Sequence, residues 1–240
     1  DRYNYTQLLS KYNNKLRSEV EEKTKHIQNI QKKVLLGMAN MVENRDGNTG
    51  GHIKRTSDVI EILVDSIREH HILELDDKFC RAVIEAAPMH DLGKIAIDDG
   101  ILRKPGRLTA EEFAVMQTHA EKSGELVESI LKDVEDAYFV TVAKHMARHH
   151  HEKWDGSGYP DGKKGEDIPL EARIMTVADV YDALVSKRCY KEPMSFEDAA
   201  EVMMESMGSH FDPQMQDVFV KSRKKLEKYD ATTEALLKEW

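Results

Sequence analysis

Ala86-Ala87-Pro88-Met89-His90-Asp91-Leu92-Gly93-Lys94 is the stretch from which the architecture is read. An apolar helical run reaches Met89, a His-Asp pair follows, and Gly93 opens a loop with a lysine behind it. A carboxylate next to an imidazole can bridge two metals while the imidazole caps one of them. A lysine one turn on supplies positive charge for a phosphate oxygen. A plainer reading also fits, in which Asp91 caps a helix N-terminus and His90 is simply packed. The dipeptide is a weak signal alone, so the flanking chain has to decide.

On both sides the pattern is helical. His52 to about His71 carries Ile53, Val59, Ile60, Leu63, Val64 and Ile67 on one broad face. About Asp76 to Met89 points Phe79, Val83, Ile84 and Ala87 inward. Leu92 to Gly106 reads as loop, and Thr109 with Glu112 three residues on forms a capping box for the next helix. Further helices are expected near His119–Leu131, Asp133–His149, Leu170–Val185, Ser195–Met207, Pro213–Leu226 and Thr232–Lys238. No run alternates with a period of two. The chain therefore reads as all-α, a multi-helix bundle.

The N-terminal segment differs. Leu9, Asn13, Leu16, Val20, Lys23, Ile27, Ile30, Val34, Gly37 and Met41 fall on alternating three- and four-residue steps. Most are apolar and the positions between them are mostly polar, a coiled-coil pattern of about four heptads. Residues 1–41 are expected to form a helical stalk that pairs two copies, with residues 42–240 as the second domain. Asn13 and Lys23 on the seam would fix register. A single amphipathic helix packed on its own domain is the alternative.

Metal ligands recur along the bundle. His149-His150-His151-Glu152-Lys153-Trp154-Asp155-Gly156-Ser157-Gly158-Tyr159-Pro160 runs three imidazoles into a glycine- and proline-bounded turn. His52 opens a helix, with Arg55 on the same face. His119 lies near a helix start, and Asp179 stands among Ile, Val and Ala, where a carboxylate is costly unless paired or on a metal. His52, His90, Asp91, His119, His150, His151 and Asp179 make five imidazoles and two carboxylates. That is too many for one tetrahedral site and suits two metals sharing a carboxylate. Nitrogen and oxygen donors without cysteine favour iron or manganese, with zinc possible.

Composition narrows the setting. The chain has 240 residues, 40% of them hydrophobic and 33% charged, with a net charge of -9. That balance disfavours nucleic acid and anionic membrane as partners. Cys80 and Cys189 are far apart, which fits unpaired thiols in a reducing compartment. No apolar run approaches a membrane span. A cytoplasmic chain is expected, with a membrane or sensor segment possible upstream because the sequence opens on Asp1.

Several motifs in order resemble one family: His90-Asp91-Leu92-Gly93-Lys94, Leu102-Arg103-Lys104-Pro105-Gly106-Arg107-Leu108-Thr109, the His150 to Pro160 run, Ala178-Asp179-Val180-Tyr181-Asp182-Ala183-Leu184, and Gly208-Ser209-His210-Phe211-Asp212-Pro213. From about Val34 to Val220 the chain is similar to the HD-GYP domain, a subclass of the HD phosphohydrolases. The resemblance implies an HD-domain bundle behind the coiled-coil-like helix. It implies hydrolysis of cyclic di-GMP to the linear dinucleotide or GMP through a metal-bridging hydroxide. Cyclic GMP-AMP hydrolysis, or nucleotide binding without useful turnover, stand as alternatives.

By the same resemblance, His52, His90, Asp91 and Asp179 hold one metal, and Asp91 bridges to a second held by His119, His150 and His151. The pair is expected to be iron or manganese, with zinc, nickel or magnesium as further options. Lys94 orients or neutralises a phosphate oxygen. Tyr159, Arg188 and Lys191 line the nucleotide site, and Asp182 supports a ligand from behind. Asn48 stands where some members carry a glutamate that helps hold a third metal, so a two-metal site is expected. His149 is expected at the surface and His210 in the scaffold. An upstream sensor or receiver domain and a GGDEF-domain protein are the implied protein partners.

Overall fold

The structure, a computed structural model, describes residues 2–45, 51–186 and 193–238, with side chains for residues 5–45, 51–186 and 193–232. The chain falls into two compact units, residues 1–38 and 39–240. Among the described residues there is no strand, only an isolated bridge between Met207 and Phe211.

Helix α1 spans Arg2–Glu43. In the first unit its seam positions face solvent: Leu9, Leu16, Val20, Ile27, Ile30 and Val34 are all exposed. In the second unit its end buries Ala39 and Val42.

The second unit is built around α2 (His52–His70) and α7 (Leu170–Val185). Helix α2 buries Ile53, Val59, Ile60, Leu63, Val64 and Ile67, an i, i+3, i+4 pattern facing the core. Each such side chain contributes about 1.5–3 kcal/mol by leaving water. Helix α7 is apolar around most of its circumference because it lies between α2, α6, α8 and α9. It buries Ile174, Met175, Val177, Ala178 and Tyr181. Helices α3 (Asp77–Ala86), α4 (Asp99–Leu102), α5 (Ala110–Ile130), α6 (Ala137–His149), α8 (Phe196–Glu205) and α9 (Met215–Lys238) complete the bundle. Helix α5 packs on α6 and on the tight turn that follows Asp91, while α9 closes against α2.

Local chemistry sets the ends. Asp76, Asp136 and Ser195 cap α3, α6 and α8 by accepting from the backbone N–H three residues on. Thr109 and Glu112 form the complete capping box of α5. That helix runs from Ala110, where the capping box placed its start, unbroken to Ile130, so the separate helix expected from about His119 is its second half. Helix α6 starts at Ala137 rather than Asp133, where Asp136 supplies the cap. The stretch after Asp91 contains a 3-10 turn, Leu92–Ala96, and α4, where loop was expected. Pro88 ends α3 in another 3-10 turn, Ala87–Met89. Helix α9 is continuous where two helices were expected.

Candidate metal centre and active site

Five elements deliver the seven expected ligands to one place. His52 opens α2, His90 and Asp91 leave the turn after α3, and His119 sits midway along α5. His150 and His151 follow α6, and Asp179 lies on α7. His90 and His150 are fully buried, and His52, Asp91 and His119 nearly so.

The rings are aimed by what holds their outer nitrogens. His90 Nδ1 lies 2.9 Å from Ala87 O, His119 Nδ1 2.7 Å from Met116 O, and His150 Nδ1 3.0 Å from Ala147 O. A carbonyl accepts only, so each Nδ1 must carry the proton and each Nε2 presents a lone pair. His52 Nδ1 likewise donates to Asp182 Oδ2 at 2.7 Å. The inward Nε2 atoms gather on Asp91. His119 Nε2 is 3.2 Å and His150 Nε2 3.6 Å from Asp91 Oδ1. His90 Nε2 is 3.5 Å and His52 Nε2 3.8 Å from Oδ2. Asp179 Oδ1 lies 3.5 Å from His52 Nε2.

The arrangement separates into two groups that share Asp91. Ligand atoms of Asp91, His119, His150 and His151 lie within 4.8 Å of one another, as do those of His52, His90 and Asp91. Asp91 Oδ1, His119 Nε2 and His150 Nε2 are buried without a hydrogen-bond partner. Three converging lone-pair donors with nothing to donate to them repel one another unless a cation stands between them. The residues present therefore fit a pair of divalent ions.

Electrostatics agree with that fit. Burial pushes the Asp91 carboxyl up, but the Lys94 ammonium, 2.8 Å from Oδ2, holds it well below the usual range. Burial lowers His90 to about 4 and puts His151 well below its ordinary value, so both rings stay neutral. Burial also opposes ionisation of Asp179, yet the neighbouring His52, whose own pKa is raised, keeps its carboxyl low. Asp182 resists burial through His52 and Arg55 and is held at about 2. Arg55 Nε donates to Asp182 Oδ1 at 2.6 Å, and Ser186 Oγ donates to the same oxygen at 2.9 Å.

Two glycines allow the close approaches the site needs. A Cβ on Gly93 would meet His119 O at 2.1 Å and Ser123 N at 2.4 Å. One on Gly158 would meet Lys153 N at 2.3 Å. Gly158 lets the signature loop fold back, so that Tyr159 N–H donates to His151 O at 3.2 Å. The Tyr159 ring then lies 4.8 Å from that of His151, and its peptide bond to Pro160 is cis. Glu152 closes the loop by accepting from Asp161 N and Lys163 N at 2.8 and 3.0 Å. The Gly-Ser-His-Phe-Asp-Pro motif supports the same loop: Trp154 N and Asp155 N donate to His210 O and Ser209 O. Arg173 joins the two by pairing with Asp212 at 2.5 Å and facing the Trp154 ring.

One expectation is corrected. His149 is not at the surface but 5% exposed, with Nε2 2.9 Å from Asp161 Oδ2. It lies in the last turn of α6, and the returning loop covers it. Arg148 holds Asp161 from the other side at 2.7 Å, so these two residues fasten the loop to α6. Arg188, Lys191, Cys189 and Asn48 lie outside the described residues. Cys80 is buried and unpaired.

Glu43 went unrecognised in the sequence. Helix α2 begins after Gly51, which has no side chain to cap it. Glu43, 6% exposed, takes that role by accepting from His52 N at 2.7 Å and Ile53 N at 3.4 Å. Arg45 next to it donates to Ile95 O at 2.6 Å and pairs with Asp99 at 2.7 Å. A helix opening on glycine before a ligand was the available signal, but the acceptor lies across a loop and no local spacing names it.

Comparison with known proteins places this geometry. A family model described as HD domain matches residues 37–215. A probable cyclic di-GMP phosphodiesterase of Vibrio cholerae is 42% identical, covering 89% of this chain and 49% of that protein. A 3'3'-cGAMP-specific phosphodiesterase of the same organism is 40% identical over 79% of this chain and 34% of its own length. A cyclic di-GMP phosphodiesterase response regulator of Xanthomonas campestris is 40% identical over 88% of this chain and 51% of its own. The chain thus spans about half the length, or less, of the curated relatives it matches. Among solved structures, a cyclic GMP-AMP phosphodiesterase of V. cholerae superposes with a TM-score of 0.56 at 18% identity, covering 82% of this chain and 48% of that one. An HDGYP protein of Bdellovibrio bacteriovorus does so at 0.53 and 19%, covering 73% and 51%. Both carry the same fold. With its His-Asp pair at the centre of the bundle, the chain belongs to the HD-domain family.

Proposed function

We propose that the chain is a metal-dependent phosphodiesterase that hydrolyses cyclic di-GMP to the linear dinucleotide, GMP or both. The observation that carries this reading is the single Asp91 carboxylate shared by two groups of inward-facing imidazoles. His52, His90, Asp91 and Asp179 would hold one ion, and Asp91, His119, His150 and His151 the other. Nitrogen and oxygen donors suit iron or manganese, with zinc, nickel or magnesium as alternatives. When bound, two such ions supply an acidified water as nucleophile and positive charge for the phosphoryl oxygens.

The chain's own groups do the rest. Lys94 stands beside Asp91 and is the side-chain cation placed to meet a non-bridging phosphoryl oxygen. Asp182 orients His52. Tyr159 forms the wall between the ligand rings and solvent on the side where the nucleotide enters. Arg188 and Lys191 are assigned to the nucleotide phosphates or bases.

Relatives named for cyclic di-GMP favour that substrate. The cyclic GMP-AMP reading is kept because a relative named for that nucleotide is 40% identical. The deciding measurement is anaerobic turnover of both nucleotides by protein reconstituted with Fe(II) or Mn(II), beside an Asp91→Ala control. Hydrolysis of cyclic di-GMP that disappears in the control is expected. Nucleotide binding with no hydrolysis of either would leave a binding module instead.

The parent protein is proposed to work in the cytoplasm, as a homodimer through α1, under an upstream sensor or receiver domain. A response regulator among the relatives supports the receiver version, and a GGDEF-domain protein is a candidate partner. No helix among the described residues is long and apolar enough to cross a membrane.

A further inference from the structure

Phe113 stands in the first turn of α5 with 48% of its surface exposed. A lone exposed phenylalanine needs no explanation. This one is not alone. Its ring is edge-on to Tyr159, 6.5 Å between centroids at 83°. Tyr159 in turn lies 4.8 Å from His151. The three rings form a row that starts at the metal ligands and ends in solvent.

The turn that carries the outer ring is fixed. Phe113 N–H donates to Thr109 O at 2.8 Å, and the Thr109–Glu112 capping box fixes the same turn. Glu112 is anchored by the Lys104 ammonium at 2.6 Å. An aromatic face half in water, carried on a fixed turn beside the candidate metal centre, is a stacking platform at modest conformational cost, since only two side-chain torsions have to be ordered. Ring steps of 4.8 and 6.5 Å lead outward from His151. A phosphate at the ligand cluster and a base one ribose away would occupy the two ends of that row.

We propose that Phe113 is the outer wall of a purine-stacking subsite that binds one base of the cyclic dinucleotide. This rests on the cyclic-dinucleotide reading above. Every purine offers a π-face and the ring has no polar group to read an edge, so the subsite grips guanine and adenine alike. Discrimination between the two nucleotides lies elsewhere.

The test is calorimetric binding of non-hydrolysable phosphorothioate cyclic di-GMP and cyclic GMP-AMP to Mn(II)-loaded wild type, Phe113→Ala and Phe113→Trp. Turnover of the natural nucleotides and of a small aliphatic phosphate diester, which carries no aromatic ring, is measured beside it. Phe113→Ala should weaken both analogues by about tenfold, Phe113→Trp should restore them to within about twofold, and the small diester, which has no base, should be cleaved at the wild-type rate. Unchanged binding in Phe113→Ala, a loss for only one nucleotide, an equal loss for the small diester, or no binding by wild type overturns the subsite. Wild-type protein that binds the analogues through Phe113 but hydrolyses none of the substrates leaves the subsite standing and removes the phosphodiesterase reading instead.

Discussion

Asp182 shows how much of a metal centre lies behind its ligands. It touches no proposed ion position, yet it fixes which nitrogen of His52 is protonated and is itself clamped by Arg55 and Ser186. Asp182→Asn keeps the shape but can turn an N–H toward His52 Nδ1. We expect metal affinity to fall by about 10- to 100-fold with the helical spectrum unchanged, read by Mn(II) titration. Wild-type affinity would show that Asp182 serves folding alone. His210 gives a pH signature. Burial, opposed by neighbouring acids, lowers its pKa from 6.5 to about 4. Between those values the unfolded chain binds the proton and the folded chain refuses it, so stability falls as pH drops from 6.5 towards 4 and levels off below. The ring is partly exposed, so the loss is about 1 kcal/mol. Urea midpoints of wild type and His210→Gln should converge across that window, and parallel curves would count against the assignment. At this scale the sequence was legible wherever chemistry repeats a motif. His149 was not, since its burial depends on how the loop after it folds back to bring Asp161 onto the ring, which no local spacing shows.

Helix ends, more than helix interiors, decide where the ligands stand. Helices α2 and α7 were readable because their apolar faces extend over several turns. The start of α5 was readable too, from its Thr109–Glu112 capping box, whereas the continuity of α9 and the 3-10 turns around Asp91 were not, because single residues and tertiary contacts govern them. The N-terminus of α2 is the sharpest case. Glu43 caps it from the end of α1 and thereby sets His52. Glu43→Ala should destabilise the chain by about 0.5–2 kcal/mol and also weaken binding of the metal that His52 would hold. Glu43→Gln, which keeps an acceptor oxygen, should recover part of both losses. If melting temperature falls while Mn(II) affinity does not, Glu43 is a cap and nothing more.

At the scale of the molecule, α1 is a single helix whose seam residues are bare. Leu9, Leu16, Val20, Ile27, Ile30 and Val34 are 46% to 59% exposed, a stripe of the kind that a second copy would cover in a coiled coil. Sedimentation should give a dimer of the 27.5 kDa chain, and Leu16→Asp with Ile27→Asp should give a monomer. Glu43, the last residue of the same helix, accepts from His52 N, and we propose that rotation of the stalk acts on the site through that contact. Each residue of an α-helix turns it by about 100°, whereas a whole heptad nearly restores phase in a supercoil. Inserting one alanine between Lys25 and His26 should therefore change cyclic di-GMP turnover severalfold while the dimer persists. Inserting a complete heptad at the same point should leave turnover close to wild type. Equal turnover in both insertions would mean that the stalk only pairs the two copies. A loss shared by both, with the dimer intact, would mean that length rather than rotation carries the signal.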